Sequence, residues 1–224
     1  MNKKHFFKVV ANLLFIGGAF VLSSCCGKCC KNETCPNEGA AVTAASTVDS
    51  SAIVLDAISK RTSIRAYQET PVEDWKVEKI LRAGMAAPSA MNRQPWSFTV
   101  VNDKAILKQI ADSAPNAGMA ANAPLAIVVC GDMDKAPEGD VKEFWVQDAS
   151  AATENILLAA HALGLGAVWT GAYPNVAKAK MFAGILNIPD NQVVLCVIPM
   201  GYPAESPAPK DKWNEGNVHY NVWK

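Results

Sequence analysis

Residues 87–96 read APSAMNRQPW and lie between a helical stretch and an apolar run. A bare connector needs only a few turn residues. This one carries Ser89, Asn92 and Gln94, three side chains able to hydrogen-bond a planar polar ligand, between Pro88 and Pro95, with Trp96 closing the turn. Upstream, in KRTSIRAY, Arg61 and Arg65 flank Ser63. Side-chain catalysis finds little to work with in this chain. Of the three histidines, His5, His161 and His219, none has a partner at a telling spacing, and no G-x-S-x-G, H-E-x-x-H or phosphate-loop lysine motif occurs. His161 reads as an ordinary helix histidine, so hydrolase and metalloenzyme chemistry lose support and no metal site is expected. What remains is a set of phosphate-capable and amide-capable residues in separate places. That is how a protein holds a cofactor that brings its own chemistry.

The elements that must position these residues follow from periodicity. Residues 36–50 are small, polar and aperiodic, as in a flexible linker, so the folded domain is expected to begin near Ser51 with a helix carrying Ile53, Leu55, Ala57 and Ile58. Thr70-Pro71-Val72-Glu73 has the form of a capping box and predicts a helix from there to about Gly84, with Trp75, Val77, Ile80 and Leu81 on its apolar side. SFTVV reads as a strand, Asp103 as the cap of the next helix, and APLAIVVCGD as a fully buried strand. VKEFWVQDASAATENILLAAHALGLG is the longest helical pattern; its alanines permit close approach of a neighbour, and Gly164 fits its C-terminal cap. GAVWTGAYP should be a short strand entering a turn, NVAKAKMFAGIL a helix and NQVVLCVIPMG a strand. The proline-rich polar tail after Tyr202 is expected to wrap over a surface.

In 224 residues that are 50% hydrophobic, with 21 basic and 21 acidic side chains, there is room for one medium domain and no long-range attraction to nucleic acid. The start is different in kind. Residues 1–24 join a basic beginning to an apolar run too short for a comfortable membrane span, which reads as an export signal. Leu22-Ser23-Ser24-Cys25 resembles a bacterial lipoprotein processing site, with Cys25 the lipidated residue; an ordinary secretory signal is the alternative. Cys26, Cys29, Cys30 and Cys35 cluster in a Cys-rich tether over 25–50, in no trusted zinc spacing, and disulfides or unpaired thiols are the simpler reading. Cys130 and Cys196 sit in apolar runs and are expected to be small core residues.

Four segments in order, Arg61 to Arg65, APSAMNRQPW, GLGAVWTGAYP and GYPAESPAPKDKW, resemble the FMN-dependent nitroreductase family over about residues 51–224. The resemblance implies an α+β fold: a mainly antiparallel central sheet flanked by helices, a long central dimer helix, a wrapping C-terminal tail, and a homodimer with FMN at the subunit interface. It implies that Arg61, Ser63 and Arg65 meet the flavin phosphate, ribityl chain and ring. Pro88, Ser89 and Ala90 would approach the same flavin from the other subunit, with Asn92 and Gln94 adding amide hydrogen bonds. Gly171 and Ala172 match the turn whose N–H groups face flavin N5. Lys210 and Lys212 match a basic pair that caps the phosphate, and Asp211 departs from the basic residue often found between them.

The implied activity is two-electron, ping-pong reduction of nitroaromatics, quinones or similar small acceptors, with flavin N5 doing the chemistry and Arg65 stabilising the reduced ring. The alternatives are a non-catalytic flavin-binding or scavenging lipoprotein and a family dehalogenase; the short segment GDMDKAPEGDVKEFW, the candidate lid, favours the broad reductase. The donor typical of the family is NADH or NADPH, which an exported, membrane-anchored protein meets in small quantity. A membrane quinol or a thiol partner is the reductant expected in that compartment.

Overall fold

The computed structural model describes residues 49–223; the expected signal segment, Cys25 and the tether to residue 48 lie outside the described residues. At the centre is a five-stranded sheet formed by β1 (Trp96–Val101), β2 (Leu125–Asp132), β3 (Gly166–Ala167), β4 (Thr170–Gly171) and β5 (Gln192–Gly201). The order is β1-β2-β5-β3, with β4 also on β5, and each of these pairings is antiparallel. β2 is buried along its whole length because both its faces are covered. Ile127 and Val129 point to one cluster with Leu195, Ile198 and Met200, packed on Ile80 of α2 (Asp74–Met85) and on Trp145 and Ile156 of α4 (Phe144–Ala162). Ala126, Val128 and Cys130 alternate to the other face, against Leu107 and Ile110 of α3 (Lys104–Ser113) and Phe182 of α5 (Val176–Leu186). A register shift at Val129/Cys130 bulges β5, so Leu195 and Cys196 share one face.

Asp103 caps α3, accepting from the N–H groups of Ala105 and Ile106, and Asn175 caps α5 through Lys178 N–H. α4, the long alanine-rich helix, ends as expected at Gly164. With φ +76°, Gly164 donates to His161 O, and Leu165 N–H returns to Ala160 O at 2.8 Å. The two cysteines of the domain are both buried.

Three expectations are corrected. The Thr70 capping box does not form: α2 begins at Asp74 with Glu73 in the cap position, no side chain caps it, and the Glu73 carboxylate accepts instead from Tyr202 Oη at 2.9 Å. A long-range partner outcompetes the local one. Trp75 is about half exposed, beneath the ammonium of Lys79 at 4.9 Å from its ring centroid, while Ile80 alone of the four named residues is fully buried. Finally, α1 (Ser50–Lys60) takes in Ser50, assigned above to the linker, with Asp49 as its N-cap. α1 has no buried residue, and Ile53, Val54, Leu55 and Ile58 are each more than half exposed.

Candidate functional site

The segment after α1 is fixed by backbone contacts. Ser63 bridges Ala167 in parallel, Ile64 N–H donates to Ala167 O at 3.0 Å, and Tyr67 Oη reaches the carbonyls of Ile64 (2.6 Å) and Pro199 (3.0 Å). Only glycine fits opposite: a Cβ on Gly166 would stand 2.6 Å from Ile64 Cβ. The chain returns alongside after β5. Gln68 N–H donates to Tyr202 O at 2.8 Å, Ala204 N–H to Ala66 O at 2.9 Å, and the Glu205 carboxylate accepts from the N–H groups of Arg65 and Ala66. This zipper delivers residues 207–213 over Arg61–Arg65.

Between them lies a cavity of about 1260 Å³ lined by Arg61, Ser63, Arg65, Glu154, Lys210 and Lys212, among others. Its ionisable lining comprises five basic side chains, Lys60, Arg61, Arg65, Lys210 and Lys212, against two acidic ones, Glu154 and Asp211. Asp211 is partly spent on the chain itself, accepting Trp213 N–H at 2.9 Å. Glu154 Oε1 lies 3.3 Å from Arg61 Nε, but that buried nitrogen makes no hydrogen bond. Excess positive charge beside an unsatisfied guanidinium donor suits an anion with several acceptor oxygens, above all a phosphate. His161 opens onto an adjoining cavity of about 440 Å³ that shares Lys60, Arg61 and Thr62.

Pro88, Ser89, Ala90, Asn92 and Gln94 do not line either cavity. They form a separate loop at the amino-terminal half of α4, where Ala90 N–H donates to Asp148 Oδ1 at 2.9 Å. Ser89 Oγ accepts Gln94 N–H, and Gln94 Nε2 donates to Asn92 Oδ1 at 3.1 Å, so part of the amide capacity read from the sequence is used within the loop. Pro88, Asn92 and Gln94 are exposed.

Gly171, the last residue of the edge strand β4, and Ala172 just after it form a third group. Here the structure narrows the expectation. Ala172 N–H donates to Leu195 O at 2.8 Å and Ala172 is buried, so that N–H is occupied within the sheet. Antiparallel alternation then turns the Gly171 N–H away from β5, and a Cβ on Gly171 would meet nothing within 4 Å. The turn is held from outside by Lys178, whose Nζ donates to Gly171 O at 2.7 Å and to Asn116 Oδ1. Partial burial lowers the Lys178 pKa. Beside it, Tyr173 packs edge-on against Trp145 and donates to Glu143 Oε2 at 3.0 Å, which ties the candidate lid to the same turn.

Sequence reading missed Glu154, Asp148, Lys178, Asn116 and Glu205. Each makes a contact across a gap of tens of residues, Lys178 in addition to its nearer bond to Gly171 O, with no local motif. The only legible trace is that Asp148 and Glu154 are acidic residues within a mostly apolar helical run.

Comparison with known proteins agrees with this architecture. The model of the Nitroreductase family matches residues 58–117 and 111–202. A Methanothermobacter thermautotrophicus protein called "Putative NADH dehydrogenase/NAD(P)H nitroreductase" is 44% identical over 172 residues, 76% of this chain and 87% of its own. The crystal structure of a Bacteroides thetaiotaomicron protein of the same description is 45% identical with a TM-score of 0.72, covering 76% of this chain and 98% of that one. An FMN-dependent nitroreductase from Clostridium difficile is 33% identical with a TM-score of 0.69, covering 75% and 99%. With a family match in two overlapping segments that together span residues 58–202, relatives covered over most of their length and the antiparallel helix-flanked sheet, this chain belongs to the nitroreductase family.

Proposed function

We propose that the protein is an FMN-dependent oxidoreductase that reduces nitroaromatic compounds, quinones or similar small acceptors in ping-pong order. When bound, FMN supplies the two-electron chemistry, between a donor such as NADH or NADPH and the acceptor. The observation that carries this reading is the convergence of Arg61, Ser63, Arg65, Lys210 and Lys212 on one cavity with an excess of positive charge. Arg61, Lys210 and Lys212 would hold the phosphate, Ser63 would offer its hydroxyl to the ribityl chain, and Arg65 would place its guanidinium charge beside the electron-rich ring. The Gly171 N–H serves as the donor toward N5. Pro88, Ser89, Ala90, Asn92 and Gln94 come from a second copy, a reading supported by their separation from the basic cavity and by the apolar surface of α1, exposed among the described residues. The unit of function is accordingly a homodimer.

The test is the visible spectrum of the purified protein mixed with FMN and titrated anaerobically with NADH. Bound flavin that bleaches supports the reductase. Bound flavin that stays oxidised turns the reading toward another donor or a flavin carrier, and absence of bound flavin removes the assignment. The export signal and the lipidated Cys25 remain part of the proposal on sequence grounds. Fatty-acid labelling of the wild type and not of Cys25→Ala is the expected result. In that compartment a quinol or thiol partner replaces NAD(P)H.

A further inference from the structure

Asp148, in the second turn of α4, is only 6% exposed. Its Oδ1 accepts the Ala90 N–H at 2.9 Å; its Oδ2 is buried without a hydrogen-bond partner, and no basic side chain pairs with it among the described residues. A buried carboxylate with one hydrogen bond is unfavourable for folding, and an apolar side chain of the same shape is often neutral or stabilising in such a place. Its presence is explained by what it holds. Met91 (φ 52°), Asn92 (φ 53°) and Gln94 (φ 51°) all stand in the left-handed region, where the Cβ of Met91 and of Gln94 crowds the following carbonyl and only asparagine of the three residue types is readily accommodated. Their other hydrogen bonds, Gln94 N–H to Ser89 Oγ, Gln94 Nε2 to Asn92 Oδ1, Asn92 N–H to Ser89 O and Trp96 N–H to Gln94 O at 2.9 Å, tie the loop to itself and, at its far end, to the first residue of β1. Pro95 O, past the strained residues, is held by Asp132 N–H at 3.1 Å. The Asp148 bond fastens the strained part to the helix.

We propose that Asp148 is the positioning residue of this loop: it holds residues 89–94 in the left-handed shape in which they meet the cofactor. The anchoring stands on the contacts above; what the loop meets rests on the FMN reading. The test compares full-length wild type with Asp148→Ala, Asp148→Leu and Asp148→Asn. Amide hydrogen exchange of the peptide covering residues 88–94 is measured in flavin-free protein, alongside the melting temperature and the FMN dissociation constant.

Loss of one buried charge-assisted hydrogen bond is expected to speed loop exchange, and to weaken FMN binding, by about 10-fold or more in the Ala and Leu variants. The flavin-free Leu variant should melt no lower than wild type. Asn, whose carbonyl accepts the same bond, should restore both readouts to within about 3-fold, the residue of exchanging a charged acceptor for a neutral one. Unchanged loop exchange in the Ala and Leu variants overturns the proposal. So does a lowered melting temperature with faster exchange throughout α4 in the Leu variant, or an Asn variant as impaired as Ala. If wild type binds no FMN the proposed function falls, and loop exchange in flavin-free protein still decides the role of Asp148.

Discussion

Cys130 and Cys196 belong to packing clusters on opposite faces of the sheet, and in each case burial pushes the thiol up to about 12. The unfolded chain releases these protons near pH 9, whereas the folded chain keeps them. Their contribution to stability is therefore intact below that pH and lost as pH rises from about 9 toward 12. At about 1.4 kcal/mol per thiol per pH unit in that window, the urea midpoint should fall between pH 8.5 and 10, and Cys130→Ala combined with Cys196→Ala should flatten the slope. The native thiols should stay unreactive to a disulfide reagent at pH 8 until the protein unfolds. Thr153 Oγ1, 3.6 Å from Cys196 Sγ, does not offset that burial. These are structural cysteines, unlike a reactive thiol, which needs exposure and a lowered pKa.

Two-residue strands are the weakest elements of the sheet, yet β3 and β4 carry the segments that matter. β3 fastens Ser63 and Ile64 through Ala167, and its Gly166 leaves room for Ile64 and nothing more. Gly166→Ala must push the Arg61–Arg65 segment outward, because the obstructing atoms include the branched Ile64 Cβ and not a flexible chain end. The expected cost is about 1–3 kcal/mol, as for overpacking of a tight site. A lower melting temperature should be accompanied by weaker FMN binding in a fluorescence titration, since the side chains proposed to hold the phosphate move with the backbone. A variant that is destabilised but binds FMN normally would detach this segment from the site. α2 supplies the complementary lesson: Glu73 abandons its local cap for Tyr202 and Lys76, 129 and 3 residues away, and joins the start of the helix to the end of β5.

For the molecule as a whole, the apolar residues left outside are as informative as the core. α1 exposes Ile53, Val54, Leu55 and Ile58, and the tail exposes Trp213, Tyr220, Val222 and Trp223. Exposed apolar side chains in this number on a domain with a dense interior mark an interaction surface, and the proposed partner is a second copy. Leu55→Asp, which alters no buried contact within the chain, should give a monomer by analytical ultracentrifugation and abolish FMN retention at micromolar protein. Retained dimer with retained flavin would place the interface elsewhere.

The sequence by itself determined the element order, the buried character of β2 and β5 and the caps at Asp103 and Gly164, because these depend on periodicity and on hydrogen bonds spanning a few residues. It also determined the family, through four motifs in register. The start of α2, the exposure of Trp75 and the occupied N–H of Ala172 were decided only by tertiary structure: Glu73 turns to the distant Tyr202, Ala172 N–H is taken by Leu195 O, and Trp75 is left on the side of α2 that the core does not cover. The same holds for the grouping of the site residues. Arg61 and Lys210 line one cavity because Glu205 and Tyr202 zip the tail onto Arg65–Gln68, and the 87–96 loop is tied to α4 through Ala90 N–H and Asp148. Contacts of that reach carry no local signature; they exist once the sheet and α4 have brought their partners together.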